Sequence, residues 1–173
     1  MPGRRYTGTR DGVSRTGARP GTVKLVELSQ RRWGFTNLGV FANRQVNNPK
    51  AKQGDPRWLS VHATGRACDL GYKDRGDAVE AWDWFVKHSR ELGIEAIHDY
   101  AFDSTPADGQ PGWGRGYRCD RGEGKAGVRV FTATDNAGSR GGRWLHVELS
   151  PAMADNPRRF EAVWRSLPKP GAV

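Results

Sequence analysis

Cysteine is nearly missing from this 173-residue chain: Cys68 and Cys119 stand far apart and share no Cys-x-x-Cys spacing. Two such cysteines exclude a disulfide framework and a thiolate zinc cluster, and leave either one bridge or two buried thiols. Long apolar runs are missing as well, since nothing approaches the ~18 consecutive apolar residues of a membrane span. The opening stretch, MPGRRYTGTRDGVSRTGARPG, has arginines but no apolar segment, so it does not read as a secretory signal. Acidic residues are scarce beside basic ones, 19 against 28, which gives a net charge of +9. That balance favours polyanionic partners, either nucleic acid or an anionic cell envelope. No recognition motif accompanies the arginines, which disfavours nucleic acid.

The length suits one domain with a core of its own. Residues 1–23 read as a basic arm, 24–167 as the body and 168–173 as a short tail. Up to position 24 the chain carries Arg4, Arg5, Arg10, Arg15, Arg19 and Lys24 against Asp11 alone. Such a segment is either a solvated tail or a docking arm, and so few apolar residues there predict attachment rather than a part in the fold. VKLVEL is ambiguous between strand and helix, and residues 38–47 read as extended. A helix is expected from about Asp77, as its cap, to Leu92, with Ala78, Ala81, Trp82, Phe85 and Leu92 on one face and Gly93 at its end. IEAIHDY (94–100) has the β-branched character of a strand, and the Gly-rich stretch 107–127 reads as a long surface loop. Asn156 and Pro157 open a last helix whose stripe is Phe160, Val163, Trp164 and Leu167. Helices intermixed with short strands predict an α+β fold with a small antiparallel sheet flanked by helices.

Two stretches carry chemistry. WLHVEL (144–149) alternates, so Leu145, Val147 and Leu149 face a core while Trp144, His146 and Glu148 share the other surface. WLSVHATGRACDLGY (58–72) places His62 and Asp69 seven positions apart among small residues. A catalytic zinc takes three protein ligands, and His62, Asp69 and His146 supply two imidazoles and a carboxylate. A His–Asp pair alone is weak, but Ser60, Gly65 and Ala67 surround it with a hydroxyl and with room for close backbone.

SVHATGRACD matches, at all five fixed positions, the SxHxxGxAxD motif of zinc D-Ala-D-Ala carboxypeptidases and related peptidoglycan endopeptidases, among them many phage endolysins. Over roughly residues 38–150 the chain resembles that family, whose fold Hedgehog domains share. The resemblance implies Zn2+ held by His62, Asp69 and His146, and hydrolysis of amide bonds in peptidoglycan stem or cross-link peptides. It implies a Hedgehog/DD-peptidase-like fold, and Arg44, in GVFANR, as the arginine facing the substrate carboxylate, with Ser60 and Trp144 beside it. With the small size, the basic arm and the absence of a signal in the opening stretch, it suits a phage protein, either a lysis enzyme in the host cytoplasm or a virion tail component acting on the wall. The arm, which the resemblance does not cover, would contact wall polymer, other tail subunits or nothing.

One departure stands out. The family places its general base three or two residues before the last ligand, where this chain has Arg143 and Trp144. Glu148, about 6.5 Å from His146 along the strand, is the local substitute, with His98 and Asp99 in reserve. The missing base motivates a second reading, a wall-binding tail-tip protein that keeps the zinc fold without turnover. Trp58, Trp113 and Trp144 are expected to flank a groove, Trp82 and Trp164 to pack in the core, and His88 to be solvated.

Overall fold

A computed structural model describes residues 2–46, 48, 50–102, 110–135 and 139–170. The ambiguous VKLVEL lies in helix α1, Pro20–Trp33, which starts on a proline and stops at Gly34. Strand β1 (Thr36–Gly39) follows, then a polar stretch, then β2 (Ala67–Gly71). Helix α2 runs Arg75–Lys87; its cap is Asp74, whose carboxylate accepts from Gly76 and Asp77 amides, so the expected start at Asp77 falls one turn late. Strands β3 (Ile94–Asp99), β4 (Arg115–Arg118), β5 (Val128–Val130) and β6 (Trp144–Leu149) complete the sheet. A short helix α3 (Pro151–Ala154) leads into α4 (Pro157–Ser166), capped by the Asn156 side chain at the Arg159 amide.

The six strands are ordered β1-β2-β6-β3-β4-β5, every pair antiparallel. The fold is therefore α+β with an antiparallel sheet and flanking helices. One sheet face carries Cys68, Leu70, Ile97, Leu145, Val147 and Leu149 into a core closed by Leu25, Trp33, Phe85, Phe160 and Trp164 from the helices. Trp82 and Trp164 are buried as their helical stripes require, while Val163 and Leu167 pack at the core's margin. Cys68 and Cys119 are free, buried thiols.

Several expectations change. The Gly-rich stretch is not all loop, because its RGYR segment is β4, bonded to β3 and β5; residues 107–109 lie outside the described residues. Among the described residues of 38–47, the extended reading holds for the end of β1 and an isolated Gln45–Leu59 bridge, and Asn47 lies outside the described residues. His88 is buried against Trp84 at the end of α2 rather than solvated, with burial pushing its pKa down. Asp99 is fully buried on the core side, gripped by Arg75 (2.7 Å) and Arg115 (3.0 Å), so it is no reserve base.

The arm is the largest correction. Its last residues, 20–23, belong to α1, and the stretch before them is laced onto the body. The Arg4 amide bonds to the Cys119 carbonyl (2.8 Å), Ser14 to Ala63 (2.8 Å) and Arg19 to Gly65 (3.0 Å). Thr7 donates from its amide (3.1 Å) and hydroxyl (2.7 Å) to buried Glu95. Fully buried Arg66 meets Asp11 at 2.9 Å and Glu95 at 3.4 Å, and also donates to the carbonyls of Gly8 and Leu149. A buried guanidinium needs such partners. Composition counted apolar residues and missed that the arm binds through polar groups.

Candidate metal centre

The face of the sheet turned away from the helices holds the site. His62 sits on a 3-10 turn, Val61–Thr64, whose first amide groups are capped by the Ser60 hydroxyl accepting from the His62 amide at 3.3 Å. Gly65 ends that turn at φ 72°, and a Cβ there would meet the Gly17 carbonyl oxygen of the arm at 2.2 Å. The motif glycine thus serves both a left-handed cap and a close approach. Asp69 lies mid-β2 with His146 directly across on β6, and His98 faces His146 from β3. Adjacent strands lie about 4.8 Å apart, so one row of the sheet aligns carboxylate, imidazole and imidazole. In the next row Glu148 stands between Ala67 and Ala96. The motif alanine leaves the space that Glu148 occupies.

His146 Nδ1 lies 2.9 Å from Asp69 Oδ1, and His62 Nε2 lies 3.2 Å from Asp69 Oδ2. One donor atom from each of the three residues falls within 4.8 Å of the others, a group that could hold a metal ion. Zinc bonds of about 2.1 Å in a tetrahedron put donor atoms about 3.4 Å apart, so the present spacing fits that ion with small side-chain movements. Two imidazoles and a carboxylate are also a donor set zinc accepts.

His146 Nε2 is 3.0 Å from Glu148 Oε1, and the Tyr6 hydroxyl donates to Glu148 Oε2 at 2.7 Å. Burial disfavours the charge on each partner, yet the His146–Glu148 and His146–Asp69 contacts override it. They raise His146 to about 10 and lower Glu148 to about 2, and Asp69 falls well below the usual carboxylate range. Two carboxylates around one imidazole make a pocket that seeks positive charge, which a proton supplies in the metal-free protein. Both oxygens of Glu148, the base expected from the sequence, are thus engaged, one by His146 and one by Tyr6.

His98 lies in the same cleft, its ring 5.2 Å from that of His146 and Nδ1 3.2 Å from the Tyr100 hydroxyl. Burial, then the neighbouring His146 charge, pushes it down to about 4, so it is neutral at pH 7. The cleft, about 790 Å³, is lined by the three candidate ligands together with Arg44, Ser60, Trp144 and Glu148. The expected ligands and the expected Arg44, Ser60, Trp144 and Glu148 therefore share one cleft. Arg44 is exposed at the rim beside the turn, where its carbonyl accepts from the Ser60 amide at 3.0 Å. Trp144 packs on Tyr100, with ring centres 5.3 Å apart, whereas Trp58 and Trp113 do not line the cleft. Arg143 is exposed, its guanidinium donating to the Lys73 carbonyl. Sequence reading missed Tyr6, Arg118, Arg121 and Arg129, which also line the cleft. A lone tyrosine within a run of arginines was the only local sign of the first.

No family model, curated protein or solved structure matches the chain. No helix among the described residues is long and apolar enough to cross a membrane.

Proposed function

We propose that this chain is a zinc-dependent peptidase that hydrolyses amide bonds in the stem or cross-link peptides of bacterial peptidoglycan. We place it with the zinc D-Ala-D-Ala carboxypeptidase and endopeptidase family and its Hedgehog-like fold, as a phage lysis or tail-associated protein. The observation carrying this is the convergence of His62, Asp69 and His146 in an open cleft, in the residues that match the SxHxxGxAxD motif. A bound zinc would supply Lewis-acid activation of the scissile carbonyl and of water.

The chain's own groups divide the remaining work. Asp69, His62 and His146 would hold the zinc, with the His146 Nδ1 side turned to Asp69 and Glu148 fixing its ring from the Nε2 side. Tyr6 holds Glu148 in turn. His98 is the group placed to carry the proton, because it faces the same row of the sheet and its Nε2 has no hydrogen-bond partner among the described residues. Arg44, with no acidic partner among the described residues, suits a paired hydrogen bond to a substrate carboxylate. The exposed arginines of the arm, Arg5, Arg10 and Arg15, suit contact with anionic wall or with tail subunits.

A second reading, a wall-gripping tail-tip protein without turnover, draws on the side chains at 143 and 144, neither of which is a base. Elemental analysis joined to muropeptide digestion separates the two. One zinc per chain with new amine ends is the expected result, and His62→Ala and His146→Ala should each lose metal and activity. Zinc without digestion would favour the gripping protein. Full zinc occupancy in both variants would remove the metal centre itself.

A further inference from the structure

The cleft continues past the metal centre along the sheet, over His98 on β3 to β4 and β5. There Arg118, Arg121 and Arg129 all line it. Gly116 leaves the floor open for the Phe131 ring, which a Cβ would meet at 2.1 Å and which packs 5.3 Å from His98. Arg118 is steadied by Asp120 at 2.7 Å and lies 5.0 Å over the Tyr6 ring. Arg129 is steadied by Asp135 and lies 5.9 Å over Phe131. Arg121 has no acidic partner in contact among the described residues; its guanidinium donates to the Gly116 carbonyl at a long 3.4 Å. Burial and then repulsion from Arg129 and Arg118 disfavour its charge. Two tethered cations therefore flank a third that nothing neutralises by contact, at the wall of an open cleft.

We propose that these three arginines form an anion subsite, and that the substrate of the metal centre carries a carboxylate on the β4–β5 side of the reacting bond. The proposal rests on the peptidase reading for its reaction, but not for its charge. β4 and β5 lie two and three strand spacings from His146, or about 10–14 Å. An extended peptide covers that span in about three to four residues. Arg44 stands on the other side of the centre, beside the turn that carries His62. A substrate gripped at both ends is an acidic peptide with anionic groups on either side of the bond, rather than a neutral chain with one terminal carboxylate. Guanidinium forks hold carboxylates in paired, charge-assisted hydrogen bonds, which accounts for arginine at all three positions.

The test compares two soluble probes, N-acetyl-triglutamate and N-acetyl-triglutamine, by calorimetry on the full zinc-loaded chain. Muropeptides whose acidic groups are free or amidated are digested in parallel. Triglutamate should bind about ten- to a hundredfold more tightly than triglutamine, as charged hydrogen bonds allow, and added salt should shrink the difference. Arg121→Gln should abolish most of that preference and Arg129→Gln part of it, with melting temperature unchanged because both side chains lie at the surface of the cleft. Equal binding of the two probes, or a preference that survives Arg121→Gln, overturns the subsite. Discrimination without any digestion keeps the subsite and removes the peptidase reading. Digestion that ignores amidation overturns the substrate assignment.

Discussion

Glu148 and His98 share one surface with His146 but hold different positions towards it. Glu148 has both oxygens engaged, by His146 at 3.0 Å and Tyr6 at 2.7 Å, whereas His98 lines the cleft and its Nε2 has no hydrogen-bond partner among the described residues. Partners that orient a metal ligand typically contribute 10- to 100-fold to metal affinity, and general acid–base groups ~10²- to 10⁴-fold to rate. Glu148→Gln should therefore weaken zinc binding by about 10- to 100-fold, read by competition with a chelator, with kcat largely restored at saturating zinc. His98→Ala should keep zinc and lose kcat on muropeptides by about 10²-fold or more. The opposite pattern would return the base to Glu148. Asp99→Asn is the useful contrast: it should weaken the fold through Arg75 and Arg115 while leaving the rate per folded molecule unchanged.

Among the elements, the N-terminal arm joins fold to site. It satisfies Arg66 through Asp11, Glu95 through Thr7 and Glu148 through Tyr6. Removing residues 2–18 would take one partner from each of these buried charges, and a hydrogen bond to a charged group is worth about 1.5–3 kcal/mol. Truncation should thus lower the melting temperature strongly and weaken zinc binding at once. The point variant Asp11→Ala should cost about 1.5–3 kcal/mol in urea unfolding, the range of hydrogen bonds to charged groups. Unchanged stability in both would mean the arm is only an attachment. By contrast α2, α4, β3 and β6 were legible in advance, because each rests on periodicity or a cap within a few residues. β4 and β5 were not; glycines at 114 and 116 hid a strand that close pairing with β3 stabilises.

For the whole molecule, the metal-free protein should respond to pH through the cluster of Asp69 on β2, His146 and Glu148 on β6 and His98 on β3. His146 is raised to about 10, so its contribution to stability is complete below the unfolded value near 6.5 and fades as pH rises through about 10. Asp69 and Glu148 are lowered, so theirs is present above about pH 4.5 and fades as pH falls towards about 2. His98 is lowered to about 4, so folding loses stability as pH falls from about 6.5 towards 4. Melting temperature should therefore peak near about pH 6.5 and fall towards both about pH 4 and about pH 10. Because metal displaces the His146 proton, zinc uptake at pH 7 should release about one proton. Calorimetry in buffers of different ionisation enthalpy reads that number, and no release would contradict the shared proton.

What the sequence determined by itself is what neighbours along the chain decide. The spacing in SVHATGRACD sets a capped turn, a left-handed glycine and an alanine beside the candidate metal ligands, and WLHVEL puts His146 and Glu148 on one face. These follow from turn chemistry and a strand's period of two. Tertiary structure alone decided which partners those groups meet. Tyr6 reaches Glu148 across 142 positions, Arg66 meets Asp11 across 55, and the β4–β5 arginines join the cleft of a centre built on β2 and β6. Such pairings depend on strand order and on where a polar arm finds buried charges to satisfy, and no local pattern carries that information.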